Sequence, residues 1–242
     1  MTATLVSLTL RGLLNRRRTL LLALIGGVII LIAAVYRISD PAEADSARFV
    51  GRLLADFGLG VLMPLVAVIV ATAALGSEIE EGTIVYLLAR PVSRARIVYA
   101  KLLVCWLVLL ALVALPVLVS GVIGRGGNPD LALAYAAAAA IGSLEYAAVF
   151  VALSLVTSRA LVIGLAYVVV WEGVVAGLFA GTRIISVRQH AVAVADALGG
   201  EGAVAAELEP AVAFVAAAIV VAVAFVVAVR RLERVELRGE TA

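Results

Sequence analysis

The sequence predicts an all-α integral membrane protein with six transmembrane helices, and three observations predict it. Of its 242 residues, 64% are hydrophobic and only 15% charged, against about 45–50% and about 25% in soluble domains. The apolar residues fall in uninterrupted runs of roughly 20, the length that crosses a hydrocarbon core about 30 Å thick as a helix. The charges gather between the runs, and Lys and Arg favour alternate connections. A formal net charge of +2 gives no reason to expect a nucleic-acid partner.

The first element precedes the first run. Leu5, Leu8 and Leu13 share a helical face, with Arg11, Arg16, Arg17 and Arg18 elsewhere. This predicts a short interfacial helix whose arginines snorkel towards headgroups, with an unstructured tail as the alternative. The run 20–36 is longer than the apolar core of a signal peptide and five more runs follow, so it reads as the first span. Runs 57–75 and 102–123 form the second and third spans; Pro64 and Pro116 lie inside them and predict kinks. Runs 131–156, 160–180 and 211–229 complete the set, and 1–242 reads as a single domain. Lys and Arg divide thirteen to six in favour of the side that holds both termini, which predicts that both ends are cytoplasmic. The outer connection 124–130 is a tight Gly/Asn/Pro turn. The longer one, 181–210, places Ile184, Val187, Ala191, Val194 and Leu198 at spacings of three and four. It predicts an amphipathic helix stopped at Gly199 and Gly200, lying along or dipping into the outer interface.

The inner connection 76–103 is the most specific segment. Glu78, Glu80 and Glu81 are expected near a helix start, where negative charge meets the positive end of the dipole. Gly82 and Thr83 follow, then an apolar stretch that includes Ile84, Tyr86, Leu87 and Leu88. Pro91 ends that helix and Ser93 is placed to cap the next, whose Arg94, Arg96 and Lys101 are expected at the inner surface. An ordinary charged connection between spans is the plainer reading. In combination, Glu78, Glu81, Gly82, Thr83, Leu87, Leu88, Pro91, Ser93, Arg94 and Lys101 resemble the corresponding loop of ABC-2 type permeases. The six spans, the N-terminal interfacial helix and the long outer loop extend the likeness along the chain.

The resemblance implies the ABC-2 fold, like that of type V exporters, and a cytoplasmic coupling helix between the second and third spans that docks on an ATPase. It implies two separate ABC ATPase subunits, which bind the ATP and Mg, and a second permease copy, a homodimer in the simplest case. It places the dimer contact near the first and fifth spans, where Gly173, Gly177 and Gly181 recur at four-residue spacing and allow close helix approach. The function implied is the permease subunit of an ATP-driven exporter of a hydrophobic or amphipathic substrate; short outer loops with no receiving domain favour export. Residues 61–65, with Met63 and Pro64, are also similar to the permease of nitrous oxide reductase copper-site assembly. An assembly role that transmits ATPase-driven motion to a periplasmic partner is therefore the alternative.

Other chemistry has little to stand on. No phosphate-binding GxxxxGK[ST] loop is present, and Lys101 is the sole lysine, preceded by Ala100. The chain is expected to hydrolyse no ATP itself and to carry no cofactor of its own. One histidine, His190, and one cysteine, Cys105, exclude a histidine triad, an internal disulfide and a cysteine cluster, so no catalytic or metal site is expected. His190 reads as an interfacial surface residue. Glu145 and Glu172 fall inside the fourth and fifth spans, where a charge costs about 2.5–3.5 kcal/mol on insertion scales. They are expected to line a pathway for a polar group, to relay a proton, or to bond a neighbour such as Tyr146, Tyr167 or Ser154. An intramembrane enzyme or proton-coupled carrier built on this pair is a weaker reading, since membrane proteases of the glutamate type also use histidines in their spans.

Overall fold

A computed structural model describes residues 16–80, 93–200 and 202–239. Within them, six helical segments are long and apolar enough to span a membrane: Thr19–Ile38, Glu43–Gly76, Arg94–Gly124, Asp130–Val156, Ala160–Leu178 and Pro210–Arg234. Outer and inner ends below follow the orientation expected from the charge bias.

Three spans contain wide π-helical turns. Two of these, Leu53–Leu62 and Leu110–Ala114, end just before Pro64 and Pro116. A proline ring collides with the carbonyl four residues back and donates no hydrogen bond; an i→i+5 turn opens the helix where that collision would occur. The expected kinks are therefore built as wide turns. Pro116 also lies against the first span, where a Cβ on Gly26 would come 2.9 Å from the Pro116 ring.

The second span begins at Glu43, well before 57. Glu43–Arg52 is helical and continues without a break into the π segment. One face of this polar stretch buries Ser46, Ala47 and Val50. Its Ala47 meets the backbone of Gly202, whose φ of +92° suits the residue type. At its inner end the helix runs on to Glu80. Glu78 and Glu80 thus prolong the second-span helix instead of opening a new one: no proline interrupts the run after Pro64, and a macrodipole effect of about 0.3–1 kcal/mol does not outweigh continued backbone pairing. The third span is likewise one helix from Arg94, with Ser93 at its N-cap but making no side-chain cap bond.

The fourth span is the centre of the bundle, packed by the second, third and sixth spans and by the helix Val187–Gly199. Gly142 marks one close approach, since a Cβ there would stand 2.7 Å from Met63 Sδ and 3.2 Å from the Ala191 methyl. Trp106 Nε1 donates to the Ala140 carbonyl at 2.9 Å and ties the third span to the fourth. The first, fifth and sixth spans leave broad apolar faces exposed, among them Leu24, Leu31, Val170, Leu178, Val215 and Ile219. Such faces suit lipid or another membrane protein.

Candidate functional site: two buried carboxylates under an outer helix

The connection between the fifth and sixth spans builds the site. After Leu178 the chain turns through a 3-10 segment, Ala180–Ile185, and then enters the helix Val187–Gly199. The amphipathic spacing predicted this helix, and Gly200, with φ of +57°, ends it where expected. Its depth was not predicted, and its buried face only in part. Val187, His190, Ala191, Val194 and Gly199 are buried, whereas Leu198 and Ile184 are 57% and 48% exposed. Gly199 lies beside Leu131 and Ala134 at the outer end of the fourth span, and Ala191 beside Gly142 near its middle. The helix therefore runs antiparallel to the fourth span and occupies only the outer half of the bundle.

Its first turn meets both intramembrane carboxylates. Glu145 is fifteen residues from Asp130 and eleven from Val156, so it sits about 22 Å from one end of its span and about 17 Å from the other. Glu172 is twelve residues into the fifth span, about 18 Å from its inner end. The two carboxylates share a depth. Val187 N–H donates to Glu172 Oε1 at 2.9 Å, and the Ser186 hydroxyl donates to Glu172 Oε2. The same hydroxyl accepts from Gln189 N–H at 3.2 Å, so Ser186 caps its own helix while binding the carboxylate. A carboxylate from another span thus occupies the positive end of this helix, the arrangement by which helix N-termini hold anions.

The third wide turn, Tyr167–Val175, explains how Glu172 is presented. An i→i+5 turn brings residues five apart near one face, which an α-helix does not. Tyr167 and Glu172 are five apart, and the Tyr167 hydroxyl donates to Glu172 Oε1 at 3.1 Å.

One turn beyond Ser186, His190 takes the other carboxylate. Its Nδ1 stands 2.8 Å from Glu145 Oε2 and its Nε2 stands 3.0 Å from the Ile184 carbonyl oxygen. A carbonyl only accepts, so Nε2 carries a proton. The remaining proton lies between Nδ1 and Oε2, either as imidazolium with carboxylate or as imidazole with carboxylic acid. Both forms sum to zero charge, which is what a site at this depth requires. Glu145 Oε1 is buried and has no hydrogen-bond partner.

The expected surface position of His190 is therefore corrected: its side chain is fully buried. Its place on the face shared by Val187, Ala191 and Val194, together with the need of Glu145 for a partner, was the available signal. Of the partners expected for the carboxylates, Tyr167 serves Glu172. Ser154 donates instead to the Val151 carbonyl, and Tyr146 stacks on Phe150 with centroids 5.6 Å apart. Outside this core, Arg188 pairs with Asp56 at 3.0 Å, Arg183 pairs with Glu207, and Ala206 N–H donates to Asp196 at 2.8 Å. These contacts hold the outer connection against the second span and close it on itself.

The inner loop gives a partial picture. Glu81, Gly82, Thr83, Leu87, Leu88 and Pro91 lie outside the described residues, as does the interfacial helix expected before residue 16. Ser93 is exposed and Arg94 half-buried. Lys101 departs from expectation. It is buried and donates to the Ala74 carbonyl at 3.0 Å, which ties the inner ends of the second and third spans. Gly177 and Gly181 have nothing within 4 Å of an added Cβ, and Gly173 only the Val168 carbonyl at 3.7 Å. That face is open in the single chain, and Gly181 falls in the 3-10 segment beyond the helix end. Among the described residues, no group of three His, Cys, Asp or Glu is placed to hold a metal.

A family model described as ABC-2 family transporter protein matches residues 14–189, from the start of the first span into the outer helix. No curated protein matches the chain.

Proposed function

Because the chain belongs to the ABC-2 transporter family, a family of multi-pass permease subunits, we propose that it works as a dimer driven by two ABC ATPase subunits and exports a hydrophobic or amphipathic substrate. The observation that carries the reading is the family match across five of six spans, joined to a polar core at mid-depth beneath a half-crossing helix. A permease needs two conformations whose populations an ATPase shifts. The helix Val187–Gly199 is suited to differ between them. Two polar contacts at its first turn latch it to the fourth and fifth spans, and releasing them would open the outer half of the bundle. In this reading Glu145 and Glu172 serve the pathway as the latch. The segment from Glu78 to Lys101 couples the ATPase to the second and third spans, and the Ala74–Lys101 contact keeps those spans moving together. Gly173 and Gly177 lie on an open face suited to the second copy.

The test is co-purification with the cognate ABC ATPase, comparing wild type with a Glu81→Arg, Arg94→Glu double variant. Wild type is expected to bind and stimulate ATP hydrolysis, and the variant to insert normally yet lose both. A variant that binds and stimulates like wild type refutes the coupling role, and a wild type that binds no ATPase refutes the transporter reading.

A further inference from the structure

A cavity of about 640 Å³ opens between the third, fourth and sixth spans, within the roughly 300–1,000 Å³ of small-molecule sites. Its sixth-span wall runs from Phe214 to Phe225, about 16 Å along the helix. The wall is aliphatic and aromatic except for Tyr99 near the inner end and Glu145 on the fourth span. Glu145 is 1% exposed; its Oε2 is held by His190, and its Oε1 has no hydrogen-bond partner. A buried acceptor left without a donor is costly unless something supplies one.

We propose that this groove is a binding site for an amphiphile with a protonated amine head, its apolar body along the sixth span and its ammonium donating to Glu145 Oε1. A carboxyl oxygen in an apolar wall selects for a donor, and a charged donor makes the stronger bond in such surroundings. An anionic head meets only an acceptor there and is excluded. The Glu145–His190 pair fits the occupant's charge. It shares one mobile proton, and releasing that proton to water as the ammonium enters leaves neutral imidazole with carboxylate against ammonium, so the occupied site is again neutral. The site rests on the permease reading only in taking the occupant to be cargo; as a binding site it stands apart from any ATPase.

The experiment is saturable binding of radiolabelled dodecylammonium to the full-length protein in phosphatidylcholine nanodiscs, with empty nanodiscs subtracted and dodecanol and dodecanoate as competitors. Dodecylammonium is expected to bind at least about tenfold tighter than either competitor. Glu145→Gln is expected to erase that preference. Ala222→Trp fills the groove from a position exposed to lipid and is expected to weaken binding by at least about tenfold. Dodecanoate binding as tightly as dodecylammonium, or Ala222→Trp binding like wild type, overturns the proposal. Competition by added phosphatidylethanolamine would identify an aminophospholipid as the source of the ammonium, and its absence a free amine. Loss of binding with ATPase coupling intact would remove this site and leave the permease reading standing.

Discussion

Replacing His190 by Leu removes the partner of Glu145 while roughly keeping volume, and the cost has a ceiling set by proton chemistry. A lone carboxylate at this depth escapes its desolvation penalty by taking a proton. For a carboxyl with an ordinary pKa of about 4.3, that costs about 3.7 kcal/mol at pH 7. His190→Leu is therefore expected to destabilise by about 3 kcal/mol at pH 7, below that ceiling because holding the shared proton already costs the wild-type pair about 0.8 kcal/mol there. The reverse substitution, Glu145→Leu, is far milder, about 1 kcal/mol, because an imidazole with a pKa near 6.5 is already mostly neutral at pH 7 and loses only its hydrogen bond. The sign of the pH dependence follows. In the variant, folded Glu145 holds a proton that the unfolded chain releases, so stability falls as pH rises above about 4.3. In wild type the folded pair holds the same number of protons as the unfolded chain between about pH 4.3 and 6.5, so its stability is nearly flat there. The penalty of His190→Leu should shrink by about 2 kcal/mol between pH 7 and pH 5. Thermal unfolding in detergent, followed by the fluorescence of Trp106 and Trp171, reads this as a Tm loss of about 10 °C at pH 7, and the double variant Glu145→Leu, His190→Leu should recover most of it. A His190→Leu penalty below about 1 kcal/mol, or one that does not change with pH, would refute the shared-proton account.

Three further outcomes follow from the same packing. Glu172→Ala orphans the Val187 N–H and the Ser186 hydroxyl and should cost about 2–4 kcal/mol, with faster amide hydrogen exchange confined to the start of the outer helix. Gly142→Ala places a methyl against Met63 and Ala191; a loss of about 1–3 kcal/mol, relieved by Met63→Ala, is expected in the same melts. Arg188→Ala breaks an ion pair whose Asp56 side chain is 73% exposed, so its effect on unfolding should stay under about 1 kcal/mol.

Spans were legible because lipid leaves helix as the way to pair a backbone over a long apolar run. Their ends were harder. Glu43–Arg52 carries four charges in ten residues and reads as a loop, yet its Ala47 and Val50 face packs on the outer connection, a tertiary contact with no local signature. Lys101 misled in the other direction: its charge suggested the surface, while a long stem let the ammonium reach the Ala74 carbonyl. The site was half legible. Glu145 and Glu172 stood out through the cost of their position, and periodicity located the helix that meets them. Its depth was not readable, because spacing along a helix says which residues share a face and nothing of how far that face is lowered between other spans.

The wide turn at Tyr167–Val175 also makes the fifth span sensitive to chain length. Each residue of an ordinary helix advances the side chains by about 100°. Deleting one codon within this segment would let the π turn relax into regular helix and restore an ordinary backbone count. Glu172 would then swing away from Tyr167, Ser186 and Val187 with every atom of the four residues still encoded. At this point of the chain, a frame-preserving deletion is a more damaging lesion than many substitutions, and a compensating insertion one turn away would be its natural suppressor.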